Sequence, residues 1–316
     1  MKLLITGASG YIGKSLVAEA LLHSYQVVAL VRKQVPFGWT DLKNLEVITC
    51  DLDEDEIPNL STLSIDCVVH LAASMNPKET HAGDDLLQGT KKLITEMQRS
   101  DIKKLIGISS ISVLDYENAN ALATINEETN ISRNYQKMGK YSVLKAQQED
   151  LYRDFSANGV NQCVILRPGL VYDRNTLNLA HAGIVKSKFQ LLVSHQGKVP
   201  LVNLESVISA ILKATSLDVS KVETAHLLDD DLPSQAQYLE ALRNRNIIKT
   251  GGIVLAWWLL LPLIKVIFPV ANMLNKTRVL PDAFFPHAFA SRMKPFSFSN
   301  TKAKQLLNWQ PKSFQW

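Results

Sequence analysis

Apolar positions in this chain fall into short runs separated by segments with helical spacing. Lys2–Thr6 opens as a strand, and similar β-branched runs recur at Gln26–Val31, Leu45–Thr49, Cys67–Leu71, Leu105–Ser109 and Gln162–Leu166. Between them, Tyr11–His23, Asp84–Arg99 and Gly139–Ser156 read as helices. In the first of these, Ile12, Leu16, Val17, Ala20 and Leu21 form one apolar face. Strands alternating with helices predict a parallel sheet covered on both faces, in the doubly wound α/β arrangement. After Arg167-Pro168 the alternation loosens. Leu204–Thr215 and Ser234–Arg245 read as helices and Thr224–Leu228 as a strand. A last helix over Lys302–Trp309 takes Ser299 or Asn300 as its N-cap. The expected division is residues 1–168 as the sheet domain and residues 169–316 as a smaller mixed α/β lobe over the carboxyl ends of the strands.

One stretch departs from this pattern. Gly251 to Met273 reads GGIVLAWWLLLPLIKVIFPVANM, long enough to span a bilayer but interrupted by Pro262, Lys265 and Pro269. Three readings stay open: a core or substrate-covering helix, a peripheral membrane patch, or a true span.

Composition narrows the class. The 316 residues carry a net charge of +4 and no Lys/Arg run, so no nucleic-acid face is expected. Cys50, Cys67 and Cys163 lie in or beside apolar runs without metal-ligand spacing, which predicts buried free thiols and no metal site. The short apolar N-terminus is used as a strand, so no signal peptide is expected. A cytoplasmic protein follows, with membrane association through 251–273 left open.

The chemistry begins where the first strand ends. Thr6-Gly7-Ala8-Ser9-Gly10-Tyr11-Ile12-Gly13 is a glycine turn between a strand and a helix, the arrangement that cradles a pyrophosphate. Gly7 permits the turn, Gly10 lets backbone approach phosphate, and Gly13 lets helix and strand pack closely. A bare glycine-rich turn is the bland alternative. Farther on, Tyr141 and Lys145 stand four apart on a predicted helix and share a face. A phenol near pKa 10 is a poor acid or base at neutral pH, and a neighbouring ammonium would favour its ionised form. Ser110, just past the Leu105–Ser109 strand, is placed to hydrogen-bond a substrate oxygen. Alone, this serine reads as a strand-end cap and the Tyr-Lys pair as an exposed helix face.

Together these residues resemble the short-chain dehydrogenase/reductase superfamily, in its extended NAD-dependent epimerase/dehydratase branch. The resemblance rests on TGASGYIG at 6–13, CDL at 50–52, HLAA at 70–73, GTKKL at 89–93, ISS at 108–110, YSVLK at 141–145 with Glu149, LRPGLVYD at 166–173 and KAKQLLNWQPK at 302–312. It implies a Rossmann-like fold and a Ser110–Tyr141–Lys145 triad with Tyr141 as the acid/base. It implies that Gly7, Ser9, Gly10, Tyr11, Ile12 and Gly13 hold the cofactor, with Asp51 and Leu52 near the adenine. By the same resemblance Leu71, Ala72 and Ala73 line the cofactor, Lys145 also holds the nicotinamide ribose, and Pro168 lies beside the nicotinamide. Dimerisation through the Asp84–Arg99 and Gly139–Ser156 helices would also fit.

Where an NAD enzyme carries an acid after the second strand, this chain has Val31-Arg32-Lys33. Arg32 can grip a 2′-phosphate in a bidentate fork, which favours NADP over NAD. Stacking of Arg32 on adenine, or use of both cofactors, is the alternative. Other departures concern the substrate. Leu86-Leu87-Gln88 lacks the branch's usual Asn, and Val113-Leu114-Asp115 replaces Val-Tyr-Gly. In the 197–207 loop, GKVPLVNLESV, Lys198 lies next to an expected Arg position, and Glu205 and Ser206 replace an acidic pair. A nucleotide-sugar is the first substrate expectation. The apolar 253–271 stretch, with Trp257, Trp258, Phe268, Phe284 and Phe285, supports a second, an apolar ketone or alcohol as in 3β-hydroxysteroid dehydrogenases and dihydroflavonol reductases. A non-catalytic NADP sensor is the third.

Overall fold

The computed structural model describes residues 1–73, 87–186, 189–249, 253–274, 276–277, 280 and 282–313. Along the chain, β1 (Lys2–Thr6), α1 (Tyr11–Leu22), β2 (Gln26–Val31), β3 (Leu45–Thr49) and β4 (Cys67–His70) come first. They are followed by α2 (Gln88–Arg99), β5 (Lys104–Ile108), β6 (Thr124–Ile125), α3 (Lys140–Ser156) and β7 (Gln162–Pro168). Then come β8 (Leu170–Tyr172), β9 (Gly183–Lys186), β10 (Phe189–Ser194), β11 (Leu201–Asn203), α4 (Leu204–Ser216), β12 (Glu223–Leu227) and α5 (Gln235–Asn244). The chain closes with β13 (Ile253–Ala256), α6 (Trp257–Met273), α7 (Pro286–Met293), β14 (Ser297–Phe298) and α8 (Thr301–Leu307).

Seven strands form one parallel sheet in the order β12-β7-β5-β4-β1-β2-β3, the Rossmann-like arrangement the alternation predicts. The chain runs outward from β1 through β2 to β3, then crosses back to β4. The strand order therefore reverses between β1 and β4, and a crevice opens past their carboxyl ends. Alternate residues of each strand feed opposite layers. Leu3 and Ile5 pack with Leu16, Val17, Val207, Ile211 and Trp309 on one face. Leu4 packs with Val28, Leu93, Met97, Tyr152 and Phe155 on the other.

Several bounds shift from the sequence expectation by a residue or two, and β7 runs on through Arg167 and Pro168. The helix expected from Asp84 begins at Gln88, and 84–86 lie outside the described residues. The division at 168 cuts across the sheet. β12, from residues 223–227, pairs with β7 as the seventh strand. Helices α4 and α8 supply Val207, Ile208, Ile211, Ala303 and Leu307 to the same core as β1.

A second core, around Tyr116, Leu201, Tyr238, Leu242 and Phe296, underlies the C-terminal lobe. Three small sheets, β8–β11, β9–β10–β13 and β6–β14, frame it. The apolar stretch is helical: α6 continues through both Pro262 and Pro269, which the sequence reads as interruptions. Among the described residues no helix is long and apolar enough to cross a membrane.

Candidate active site

The glycine turn is shaped by contacts that exclude side chains. Gly7 has φ +65°, and a Cβ there would lie 2.9 Å from the Ala72 backbone nitrogen. A Cβ at Gly13 would lie 2.3 Å from the Gly7 carbonyl oxygen, so α1 is pressed directly onto the turn. Gly10 caps α1 in an extended conformation, and no side chain caps the helix. Among the described residues no side chain accepts from the first amides of α1, and the positive end of the helix dipole opens at the crevice. This donor set, exposed at Gly10, fits a diphosphate.

The other residues implied for the cofactor lie along the same sheet edge. Arg32 follows β2 and is exposed, Asp51 and buried Leu52 follow β3, and half-buried Leu71, Ala72 and Ala73 follow β4. Pro168 is the last residue of β7 and is buried. Ser9 and Ile12 are half-buried within the turn, and Tyr11 is exposed. The Tyr11 hydroxyl donates to Asp173 Oδ2 at 2.8 Å, tying the glycine turn to the segment beyond β7.

A buried polar network fixes the end of β4. Thr6 Oγ1 lies 2.7 Å from His70 Nδ1, and His70 Nε2 lies 3.0 Å from Thr90 Oγ1. Gln148 Nε2 donates to Thr90 Oγ1 at 2.9 Å and to the Ala72 carbonyl at 3.2 Å. Burial pushes His70 down to about 3, with the Lys145 charge adding to the effect, so this imidazole is neutral. Thr6, Thr90 and Gln148 were not singled out from the sequence. A threonine at a strand end, or a threonine or glutamine on a helix, looks like any surface residue until its partners are known.

Ser110, Tyr141 and Lys145 converge at the carboxyl end of β5. Ser110 follows that strand, and its Oγ accepts from the Ser112 amide at 3.1 Å. Tyr141 opens α3 with 37% of its surface exposed. Burial around the phenol raises its pKa above the ordinary value, and a hydrogen bond with Ser110 lowers it. One turn on, Lys145 is buried and its Nζ donates to the Ile108 carbonyl at 2.7 Å. Burial pushes this ammonium down to about 8, against the opposing pull of the Glu149 carboxylate.

Glu149, a further turn along α3, is fully buried. It accepts from Ser109 Oγ at 2.5 Å, from Arg167 Nε at 2.8 Å and Nη2 at 2.7 Å, and from Arg153 Nη2 at 3.3 Å. The carboxylate thereby joins β5, α3 and β7 directly beneath the Ser-Tyr-Lys group. Arg167 was legible only as part of LRPG. Nothing in its local sequence marks an arginine that is itself 2% exposed.

The 197–207 segment offers few charges to a ligand. Val199, Leu201 and Val202 are buried, and the Lys198 amide donates to the Phe296 carbonyl at 2.8 Å. Glu205 pairs with Lys312, and Ser206 Oγ accepts from the Lys312 amide at 2.9 Å. A spacious groove lies elsewhere, between α1 and α4, lined by Glu19, Asn203, Lys213 and Lys312 and by none of the Ser-Tyr-Lys group. Among the described residues no group of three His, Cys, Asp or Glu could hold a metal ion. The three cysteines are buried and free.

The model of the NAD dependent epimerase/dehydratase family matches residues 3–206. A sterol-4-alpha-carboxylate 3-dehydrogenase, decarboxylating, of Candida albicans is 26% identical over 204 residues, 60% of this chain and 57% of that protein. A putative UDP-glucose 4-epimerase of Methanocaldococcus jannaschii is 22% identical over 203 residues, 62% of this chain and 65% of that protein. The match thus spans just over half to just under two thirds of these relatives' lengths. In solved structures, the UDP-glucuronic acid 4-epimerase of Bacillus cereus in complex with NAD superposes with a TM-score of 0.68. It is 19% identical and covers 99% of this chain and 94% of that one.

Proposed function

Since this chain belongs to the NAD-dependent epimerase/dehydratase family, we propose that it is an NAD(P)-dependent oxidoreductase acting at a secondary alcohol or ketone of an apolar, ring-bearing substrate. The observation that carries the substrate class is the apolar cover of the C-terminal lobe. The inner face of α6 brings Ile264, Trp257, Leu260 and Leu261 against Val193, Phe289 and Met293. The same lobe is tied to the loop beyond β5, because His287 Nε2 of α7 bonds the Leu114 carbonyl at 2.8 Å, four residues past Ser110. A lobe packed with apolar side chains, whose 197–207 segment offers few charges to a ligand, suits a ring system better than a charged diphosphate. The sterol dehydrogenase relative accords with this reading.

In this reading Tyr141 exchanges the proton of the substrate oxygen and Ser110 hydrogen-bonds the same oxygen. The positive charge of Lys145 favours the phenolate. Bound dinucleotide supplies or accepts the hydride, with its diphosphate on the amides at the start of α1. Arg32 beyond β2 favours NADP.

A second reading, a nucleotide-sugar epimerase or dehydratase, is favoured by the UDP-glucose 4-epimerase relative. The two differ in what becomes of the hydride. An epimerase returns it, whereas a reductase consumes the reduced cofactor in step with product. Sugar nucleotides and hydrophobic ring ketones are therefore screened both by the absorbance of NADPH and NADH and by chromatography of the products. Stoichiometric oxidation with ring ketones is expected. Turnover of sugar nucleotides without net oxidation would replace this reading by the second.

A further inference from the structure

The inner face of α6 is accounted for by the lobe, but its outer face is not. At 100° per residue, Ile264 and Phe268 mark the buried side. The opposite side carries Trp258, Leu259, Leu263, Val266, Val270 and Met273, exposed at 60%, 49%, 54%, 63%, 47% and 77%. Pro262 and Pro269 lie on this exposed side too. Ile253 and Val254 of β13 extend the apolar surface beyond the start of the helix. A helix that is apolar all round belongs in an apolar setting on all sides.

Charge indicates what the second setting is. Residues 241–296 contain eight Lys and Arg and one acid, Asp282, in a chain whose net charge is +4. Lys249, Lys265 and Lys276 are exposed. Lys265 stands at the border between the two faces of α6, where a long side chain can lay its stem on apolar surface and lift its charge to a polar boundary. No carboxylate among the described residues pairs with it, and it lies near enough to Lys294 to help push that ammonium down, after burial. An apolar face with Lys265 at its border, and with exposed Lys249 and Lys276 on the segments that precede β13 and follow α6, matches an anionic bilayer surface in both respects. The helix, 17 residues or about 25 Å long, is suited to lie in the interface plane.

We infer that the outer face of α6 docks the protein onto anionic lipid bilayers, with Trp258, Leu263, Val266 and Val270 entering the acyl boundary and the surrounding lysines meeting lipid headgroups. The inference stands independently of the substrate class.

The full chain is sedimented with vesicles of phosphatidylcholine alone and with vesicles containing about one third phosphatidylserine. The expected result is binding to the anionic vesicles at least tenfold tighter than to the neutral ones. The double substitution Leu263→Asp, Val266→Asp is expected to weaken that binding at least tenfold. Both positions are exposed, so the melting temperature and NADPH affinity should stay as in the parent chain. Brominated acyl chains should quench tryptophan emission in the parent and lose most of that effect in a Trp258→Ser variant. A protein that stays in the supernatant with anionic vesicles would overturn the inference, as would a double variant that binds like the parent. So would sedimentation-equilibrium evidence that the same pair abolishes a dimer in a chain that ignores vesicles, since a second copy would then own the face.

Discussion

Arg167 and Glu149 form a bidentate pair in the interior, with both carboxylate oxygens engaged and neither residue more than 2% exposed. Removing one partner of such a pair strands the other without water. Glu149→Gln keeps the shape and removes the charge, so unfolding in urea should show a loss of about 3–5 kcal/mol. Because the Glu149 carboxylate also raises the Lys145 ammonium, the substitution should move the alkaline limb of kcat/KM below about 8. A stability loss with an unmoved limb would make Glu149 a structural residue only.

Tyr141→Phe removes the hydroxyl that bonds Ser110 and leaves the ring. Turnover is expected to fall by roughly 10²–10⁴, the usual worth of a positioned proton donor, with NADPH binding nearly unchanged. Fluorescence titration alongside steady-state rates checks both parts, and a fully active variant would remove the proposed acid/base.

Gly13→Ala places a methyl against backbone atoms, 2.3 Å from the Gly7 carbonyl oxygen and 2.6 Å from that of Ala8. Backbone cannot swing aside as a side chain can, so α1 must move off the turn. A weakened dinucleotide affinity is expected, read by calorimetry, with NAD and NADP affected alike.

Arg32→Asp tests cofactor choice. Reversing the charge should weaken NADP by more than tenfold while NAD is unchanged or tightened. Equal losses for both would show that the arginine contacts the part they share.

Acid stability follows from histidines held neutral by burial. His70, His181 and His226 are each pushed from 6.5 to about 3. A folded value below the unfolded one leaves stability intact above 6.5 and removes it as pH falls toward 3, because only the unfolded chain takes up the protons. Each should contribute a slope of about 1.4 kcal/mol per pH unit below its unfolded value. Asp229, raised to about 6 by burial against the Tyr172 bond, acts in the opposite sense below that value and offsets about one of the three. Urea melts between pH 7 and 4.5 should therefore show a steady loss, shallower by about 1.4 kcal/mol per pH unit for each of His70 and His226 that is replaced by Gln.

The inner strands of the large sheet were readable because each is a short apolar run buried on both faces, which needs no distant partner to recognise; β3, at the edge, is only half-buried and shows as an apolar run alone. The glycine turn was readable for a similar reason, since its spacing is local, whereas Ser110, Tyr141 and Lys145 stand out only when the motifs are taken together as a family resemblance. The lobe was not. β10 pairs with β13 some sixty residues away, and strands of three to six residues carry little periodicity by themselves. α6 was readable as apolar, but its prolines pointed to breaks, and only the structure shows them inside a continuous helix with their rings outside the packed face. The Thr6–His70–Thr90–Gln148 and Glu149–Arg167 networks depend on groups brought together across the sheet, which no spacing rule reports.

The seventh strand gives the order of synthesis a physical meaning. While residues beyond 223 are still being made, β7 has a bare edge of backbone donors and acceptors next to Cys163, Ile165 and Arg167. A nascent chain halted there has the glycine turn and the whole Ser-Tyr-Lys group but an open template for pairing with another molecule. The last strand of the large sheet to emerge is thus the one that covers this edge, and a fragment cut at residue 168 should aggregate where the whole chain does not.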